Sequence, residues 1–239
     1  MQLSEMVTLV GQRLNELTPV FYPALEITAA LNEADRLFTF LTLALETTAP
    51  WTPAATFTHM LTVFADWIVP LRIGTSAGTK VRPARFADLW ALDPGWPSSP
   101  GPAAHYAAAG ADLIAIYQQD GETLSVTYAR APVTMVNPTD TPETPDEYHP
   151  MYLSYAIYRL RQVEGGEPFK AALPLLGEYL DAAGEYAGYM RARNIGSGYD
   201  TLPMEFALWD RSLLFGLASE RQGNAQMSAA NQGETKGDK

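Results

Sequence analysis

The sequence has no cysteine, no long apolar run and few basic side chains, and each of these shortages excludes a class of protein. Without cysteine in 239 residues there is no disulfide scaffold, thiolate metal site or cysteine nucleophile. No apolar run reaches about 18 residues, so no membrane-spanning helix is expected. Residues 1–5 lack the basic start of a secretory signal. The 16 basic and 27 acidic residues give a net charge of −11, which argues against a surface that binds phosphates broadly.

The rest of the composition is that of an ordinary globular protein. Apolar residues make up 47% of the chain, which is too many for a wholly disordered protein. The length fits one large domain, or one domain with an inserted subdomain. We therefore expect a soluble, acidic protein of the cell interior or of a virion.

Helical periodicity opens the chain. Apolar residues at spacings of three and four predict one helix over residues 3–17 and a second over residues 22–45. Pro23 is expected at the first helical position of the second helix, where its missing N–H group costs nothing.

A period of two follows in the middle of the chain. Alternating side chains rich in Thr, Val and Phe predict a strand from Phe57 to about Ile73, with Pro70 limiting its later part to an edge or a turn. Residues 82–92 are interpreted as a short helix that ends at an Asp-Pro-Gly sequence.

Two further strand-like runs, residues 112–117 and 123–130, flank an Asp-Gly pair at residues 120–121. That pair is typical of a tight hairpin between neighbouring strands. Residues 137–146 have regularly spaced prolines and acids with no hydrophobic period, so they are interpreted as a linker.

Helical periodicity returns after the linker. Residues 146–164 predict a helix that Gly165 and Gly166 close, and a further helix is expected up to the glycines at 196 and 198. Pro174 predicts either a kink or a late start of that helix.

The predicted fold class is mainly α (α+β): an antiparallel helical bundle with an inserted β-rich subdomain and an extended C-terminal tail. The expected parts are the N-terminal helices at residues 1–50, the β-rich insert at 51–138, the C-terminal helices at 139–198 and a tail at 199–239. The two helical pairs need each other to bury their apolar faces. The predicted bundle core is Leu31, Leu37, Phe38, Leu41, Tyr155, Leu160, Leu173, Leu176 and Leu180.

Motifs for catalysis and for cofactor or metal binding do not occur at the spacings that their chemistry needs. The glycine-rich run at residues 74–80 departs from a phosphate-binding loop in the number of residues between its glycines and in the position of its lysine, so we interpret it as a flexible β loop. His59, His105 and His149 lie far apart without partners at metal-ligand spacing. No Gly-x-Ser-x-Gly sequence occurs. The sequence therefore predicts no catalytic, cofactor-binding or metal-binding residue.

Tyrosines recur on one face of the helix that follows the linker. The spacing of three to four in Tyr148, Tyr152, Tyr155 and Tyr158 favours packing over a ligand-binding stripe. Basic residues occur there only in pairs, so sequence-specific DNA recognition is not expected.

Three groups of sequence stretches, in this order and at this spacing, carry a resemblance. They are FYP at residues 21–23 with ALNEA at 30–34; RFADL at 85–89 with GW at 95–96, GPAAHY at 101–106 and VTYARAP at 126–132; and DEYHPMYLSYA at 146–156. With these stretches, which span most of residues 20–195, the chain resembles tailed-phage head-to-tail adaptor proteins. These are head completion or connector proteins related to the neck proteins of the tubular tail protein A type.

The resemblance implies a non-enzymatic protein of the virion neck that is assembled in the host cytoplasm. Such a protein forms a ring, commonly of twelve copies, that binds the portal protein and meets tail or nozzle proteins. DNA passes through the lumen of the ring without specific binding. The acidic composition fits this role, because an acidic lining repels DNA within a screening length of about 8 Å and lets it slide.

The resemblance also points to two sets of contact residues. The apolar residues after Gly198 are too few to make a core alone, and the composition beyond Ser219 is that of a flexible tail. Residues 199–239 are therefore expected to be mobile in the free protein and to order on the portal, and the resemblance agrees, since related adaptors anchor through their C-termini. The expected anchors are Leu202, Met204, Phe206, Trp209, Leu213, Leu214 and Phe215. In the insert, Trp90, Trp96 and Tyr106 are expected to be exposed and to contribute to the ring interface.

Two other functions stay open at this point. A tail-side neck or gatekeeper ring protein would differ from the adaptor only in its partner. A small soluble α+β enzyme or ligand-binding protein is a different class, and it would sediment alone rather than with portal.

Overall fold

The computed structural model describes residues 1–15, 21–53, 58–60, 64–108, 113–118 and 120–204, and residues 1–204 form one compact unit. Within the described residues the protein is mixed α+β. The helices are α1 (Leu3–Arg13), α2 (Ala24–Thr42), α3 (Phe86–Leu92), α4 (His149–Glu164) and α5 (Gly166–Gly196). The strands are β1 (Glu46–Trp51), β2 (Thr58–Met60), β3 (Trp67–Thr75), β4 (Lys80–Pro83), β5 (His105–Ala108), β6 (Leu113–Tyr117) and β7 (Leu124–Arg130).

The two N-terminal helices occur where periodicity predicts them, with shorter ends. Helix α1 ends at Arg13, and Asn15 takes a φ of 64°, which leaves the helical conformation. Pro23 caps α2 rather than forming its first residue, and α2 ends at Thr42 because Leu43 adopts the left-handed conformation.

Helices α1, α2, α4 and α5 share one apolar core. Four of the nine predicted core residues are buried in it: Leu31, Phe38, Tyr155 and Leu160. Four others pack against it while partly exposed: Leu37, Leu41, Leu176 and Leu180. Leu173 is partly exposed and lies outside this core, so its assignment is wrong. Tyr152 and Tyr179 are fully buried there as well. The interpretation of the α4 tyrosines as packing residues is therefore confirmed for Tyr152 and Tyr155.

The long C-terminal helix tolerates a proline. Gly165, with a φ of 69°, ends α4, and α5 begins at the next residue. Helix α5 continues through Pro174 to Gly196, so the predicted late start is wrong. Pro174 lies on the exposed side of α5, where its ring meets solvent.

The strands form one sheet in the order β1-β7-β3-β4-β5-β6-β2. Every neighbouring pair is antiparallel except β4 and β5, which are parallel. Ile114 and Ile116 of β6 nevertheless share a core with Val126 and Tyr128 of β7, which is not adjacent to β6 in the sheet. The sheet is therefore curled, so that distant strands face each other across its interior.

The predicted hairpin at residues 120–121 is wrong, because β6 and β7 are not neighbours. The turn itself exists: Gly121 has a φ of 79°, and the Asp120 carboxylate accepts a hydrogen bond from the Glu122 amide. A turn signal of this kind reverses the chain locally. It does not decide which strand each arm then pairs with.

Three strands, β1, β4 and β5, are not predicted by the sequence. Strand β1 lies at the edge of the sheet. Pro50 is tolerated there because an edge strand has N–H groups that face solvent, so the N–H group that proline lacks is not needed for pairing. Strand β4 falls at the start of the run interpreted as a helix, which begins only at Phe86. The predicted strand over residues 57–73 splits into β2 and β3, with a turn at residues 64–66. Strand β3 lies inside the sheet, although Pro70 predicts an edge or a turn for its later part. Its pairing with β4 involves only Ile73 and Gly74, which lie beyond Pro70.

The predicted linker contains no α-helix or strand, although its last residue, Asp146, begins a short 3₁₀ helix, and it is fixed to the helices. The amides of Leu3 and Ser4, which begin α1, donate to the carbonyls of Asp140 and Pro138. The linker thus accepts two of the N–H groups that a helix start leaves unpaired. Glu143 makes a bidentate ion pair with Arg130, at the end of β7.

The first residues after α5 return to the sheet. Tyr199 packs against the cluster of Leu43, Leu71 and Ala129, and the Asp200 amide donates to the Leu71 carbonyl at 2.7 Å. The Asp200 carboxylate pairs with Lys80 at 2.7 Å. Tyr199 and Asp200 are therefore anchored, contrary to the expectation that the chain is mobile from residue 199 onward.

Candidate functional site

The three aromatic residues expected at the ring interface differ in exposure. Trp90 is 44% exposed, whereas Trp96 is 1% and Tyr106 is 5% exposed. The expectation that all three are exposed is therefore wrong for Trp96 and Tyr106, and of the three only Trp90 offers substantial surface.

The loop after α3 explains why Trp96 is buried. The Asp93 carboxylate accepts hydrogen bonds from the Gly95 amide and the Ser99 hydroxyl, which folds the Pro/Gly-rich loop back on α3. Trp96 then contacts Phe86 and Trp90 edge-on, with ring centroids 5.6 and 5.8 Å apart. The Pro/Gly-rich composition of this loop suggests flexibility, but the two hydrogen bonds of the Asp93 carboxylate hold the loop in a defined turn.

Tyr106 is buried for a different reason. Its hydroxyl donates to the Asp200 carboxylate at 3.2 Å, and burial, then the nearby negative charge, raises the pKa of the phenol. Tyr106 therefore helps to anchor the segment after α5 to the sheet. It is a structural residue of the insert.

The predicted docking tail lies mostly outside the described residues. Leu202 is half-buried, and Met204 is 65% exposed where the described chain ends. The other five predicted anchors, Phe206, Trp209, Leu213, Leu214 and Phe215, lie outside the described part of the chain.

A groove between α2 and β3 was not predicted. It has a volume of about 420 Å³, and Leu37, Phe40, Trp67 and Ile68 form its apolar lining. Phe40 is 57% exposed, which is unusual for a side chain of this size. In the sequence, Phe40 lies outside the apolar face of α2, and this signal could have identified the groove.

A buried polar cluster joins α2, the linker and α4. Asp35 is 1% exposed and is hydrogen-bonded to the hydroxyls of Thr144 and Tyr152. Burial raises the pKa of Asp35 to about 6. His149 lies beside the cluster, with its Nε2 2.9 Å from the Thr144 carbonyl oxygen, and burial lowers the pKa of its imidazole. The cluster connects three segments of the fold.

The glycine-rich run between β3 and β4 is a β turn. Gly78 has a φ of 83°, and the Thr75 hydroxyl accepts a hydrogen bond from the Thr79 amide. The run does not lead into a helix, so it lacks the helix N-terminus of a phosphate-binding loop. The interpretation as a β loop is confirmed.

Metal ligands do not gather in the described part of the chain. No group of three or more His, Asp or Glu side chains there could hold a metal ion. In the same residues, no helix is long and apolar enough to cross a membrane.

Comparison with known proteins agrees with the resemblance. The sequence profile of the SU10 adaptor protein family matches residues 1–199, a range that includes all the helices and strands described above. A comparison with curated proteins finds no match. Because the profile covers most of the chain, the chain belongs to the SU10 adaptor protein family, a family of phage head-to-tail adaptors.

Proposed function

We propose that this protein is a head-to-tail adaptor of the virion neck that binds the portal, closes into a ring of about twelve copies and extends the DNA channel toward the tail. The family match over residues 1–199 is the observation that carries the proposal. In each subunit the helices form an antiparallel bundle, and the sheet is the inserted β-rich part. The protein acts structurally and not as an enzyme.

The C-terminal segment is the proposed portal dock. Met204 is exposed at the end of the compact unit, and the seven expected anchors all lie between Leu202 and Phe215. Seven large apolar side chains within fourteen residues are too few for a core of their own, and an exposed apolar patch is more often an interaction site than free surface. Among these residues, Phe206 and Trp209 are the proposed main anchors, since buried aromatic side chains dominate many interfaces.

Truncation after Met204 is expected to abolish co-sedimentation with the portal protein while leaving the fold intact. Cutting at this position keeps the contacts of Tyr199 and Asp200 with the sheet, which a shorter chain would lose. The measurement is co-sedimentation of the purified protein with portal, together with thermal unfolding of the protein alone.

A matched pair of full-length variants refines the test. Trp209→Ala is expected to weaken portal binding by at least tenfold, equivalent to about 1.4 kcal/mol, whereas Asn224→Ala is expected to leave it unchanged. Undiminished binding of the truncated chain would show that another surface docks on the portal. Binding to a purified tail protein instead of portal would favour the tail-side gatekeeper function.

The ring requires a head-to-tail contact between copies, because only a heterologous interface closes into a ring of many subunits. Such a contact is expected to bury roughly 800 Å² on each partner. Trp90 and the neighbouring Leu92, which is 60% exposed, are the proposed contribution of the insert.

Trp90→Ala is expected to reduce the fraction of complete rings on portal while changing the stability of the free subunit little. Trp90 is half-exposed and does not belong to the apolar core that contains Leu89 and Trp96, so its loss is expected to leave that core intact. Electron microscopy of portal complexes measures ring completion, and Leu25→Ala, at a side chain 80% exposed on α2, is the control. If Trp90→Ala still forms complete rings, the assignment of α3 to the ring interface is wrong.

A further inference from the structure

The outward face of one half of the sheet carries hydroxyl groups. Along β7, the buried Leu124 and Val126 alternate with Ser125 and Thr127, which point outward. The Thr127 hydroxyl lies 3.0 Å from that of Thr48 on β1. The part of this face around Thr48, Ser125 and Thr127 is therefore polar and rich in groups that can both donate and accept hydrogen bonds, whereas Tyr199 covers the face at Ala129.

Two arginines stand next to each other on this face. Arg72 of β3 is paired with Thr127, and the pairing of Ile73 with Val81 places Arg82 of β4 beside Arg72. Both arginines are exposed. Like charges at neighbouring positions on adjacent strands repel each other, so this arrangement is unfavourable without an anion between them.

Neither arginine has a carboxylate partner among the described residues, although most basic side chains of the fold do. The paired ones are Lys80, Arg85, Arg130, Arg159, Arg161, Lys170 and Arg193. The Asp200 carboxylate lies close to this pair but is engaged by Lys80 at 2.7 Å. In a chain with 27 acidic residues, two adjacent arginines that form no ion pair in the described part of the chain are an exceptional positive site.

A shallow pocket of about 390 Å³ lies beside Arg72. Thr75, Ser76, Ser125 and Thr127 line it, together with Gly74 and Gly78, and none of the described acidic residues does. A guanidinium group surrounded by hydroxyl donors matches the oxygens of a phosphate group.

We propose that this face contacts the phosphodiester backbone of duplex DNA in the channel, with Arg72 and Arg82 as the charged contacts and Ser125 and Thr127 as hydrogen-bond donors. The inference rests on the proposed function, in which DNA passes the ring. Contacts of this kind read no base sequence, so they hold the duplex without fixing its register. The acidic remainder of the surface keeps the attraction confined to this strip.

The test compares two double variants that change the net charge equally. Binding of a fluorescent 30-base-pair duplex to the full-length protein is measured by anisotropy at several low salt concentrations. Arg72→Ala with Arg82→Ala is expected to weaken binding at least tenfold and to reduce the slope of log K against log salt by about 2, as expected for two lost phosphate contacts. The control combines Arg13→Ala with Arg36→Ala, which removes two exposed helical arginines and is expected to change binding less than twofold.

Each outcome decides the inference separately from the proposed function. An equal loss in both double variants would show that overall charge, and not this face, governs binding, and the absence of DNA binding by the unmodified protein would also overturn the proposal. Unchanged DNA binding with weakened portal co-sedimentation would identify the face as a protein contact. If the Arg72 and Arg82 variant loses DNA binding but still co-sediments with portal, both proposals stand; failure of portal binding by the unmodified protein contradicts only the proposed function.

Discussion

Phe38→Ala is expected to lower the free energy of unfolding by about 3–5 kcal/mol. Phe38 is fully buried in the helical core, and its ring lies 5.3–6.3 Å from the rings of Tyr148, Tyr152, Tyr179 and Tyr186. Alanine removes these contacts and leaves a cavity that rigid helices fill only in part. Urea unfolding of the full-length protein, followed by circular dichroism, measures the change.

Phe40→Ala is the matched control for this substitution. Phe40 lies two residues further along the same helix but is 57% exposed, so its loss is expected to change stability much less. Similar losses for Phe38→Ala and Phe40→Ala would contradict the assignment of the core to the face of α2 that contains Phe38.

Asp35→Asn is expected to remove a contribution to the protein's stability that decreases as the pH rises. Burial in the cluster with Thr144 and Tyr152 raises the pKa of Asp35 from 3.8 to about 6, and the negative charge of Glu143 adds to the increase. Tyr152 and Tyr179 interact electrostatically with Asp35, and His149 lies beside the cluster. The folded protein therefore binds the Asp35 proton more tightly than the unfolded chain does.

The direction of the pH effect follows from this raised pKa. The stabilising contribution of protonated Asp35 is fully present below about pH 4 and is lost as the pH rises through about 6. A difference of two pKa units corresponds to about 3 kcal/mol. Most of this difference, roughly 2 kcal/mol, is expected to appear between about pH 4 and pH 7 as an increase in the stability of Asp35→Asn relative to the unmodified protein.

Denaturant unfolding of both proteins across this pH range tests the expectation. Asp140→Asn is the control with the opposite sign, because hydrogen bonds from the Val136 and Asn137 amides lower the pKa of the Asp140 carboxyl. Its carboxylate stabilises the fold at higher pH, and that contribution is lost as the pH falls through the lowered value. A stability difference for Asp35→Asn that stays constant with pH would contradict a raised pKa at Asp35.

Helices were more predictable from this sequence than strand partners. Repeats of three and four residues on α2 identify the buried side of that helix, since one face must meet the core and the other meets water. Strands carry weaker information: the Asp-Gly turn at residues 120–121 signals a reversal, but the pairing of β7 with β1 and β3 depends on distant segments. Short polar strands such as β1 have too little hydrophobic alternation to be recognised.

The residues proposed to contact other subunits or DNA could be predicted only in part, because their exposure and their neighbours depend on the tertiary structure. Large aromatic side chains such as Trp90 and Trp96 suggest interfaces in a sequence, but their exposure depends on hydrogen bonds such as those of Asp93. The paired arginines Arg72 and Arg82 lie on separate strands, and only the strand register brings them together. Surface sites of this kind arise from tertiary pairing, which a single sequence does not reveal.

The order of strands in the sheet also constrains how the subunit folds. Glu46 of β1 pairs with Ala129 of β7, and His59 of β2 pairs with Ile114 of β6. Both outer strands therefore pair with strands that lie far along the chain. Closing such long loops costs entropy before any pairing compensates for it, and non-local topologies of this kind fold slowly. During synthesis, β1 leaves the ribosome well before β7 exists. The sheet is therefore completed only after more than half of the protein has been made, and the helical core, which needs α4 and α5, follows later still.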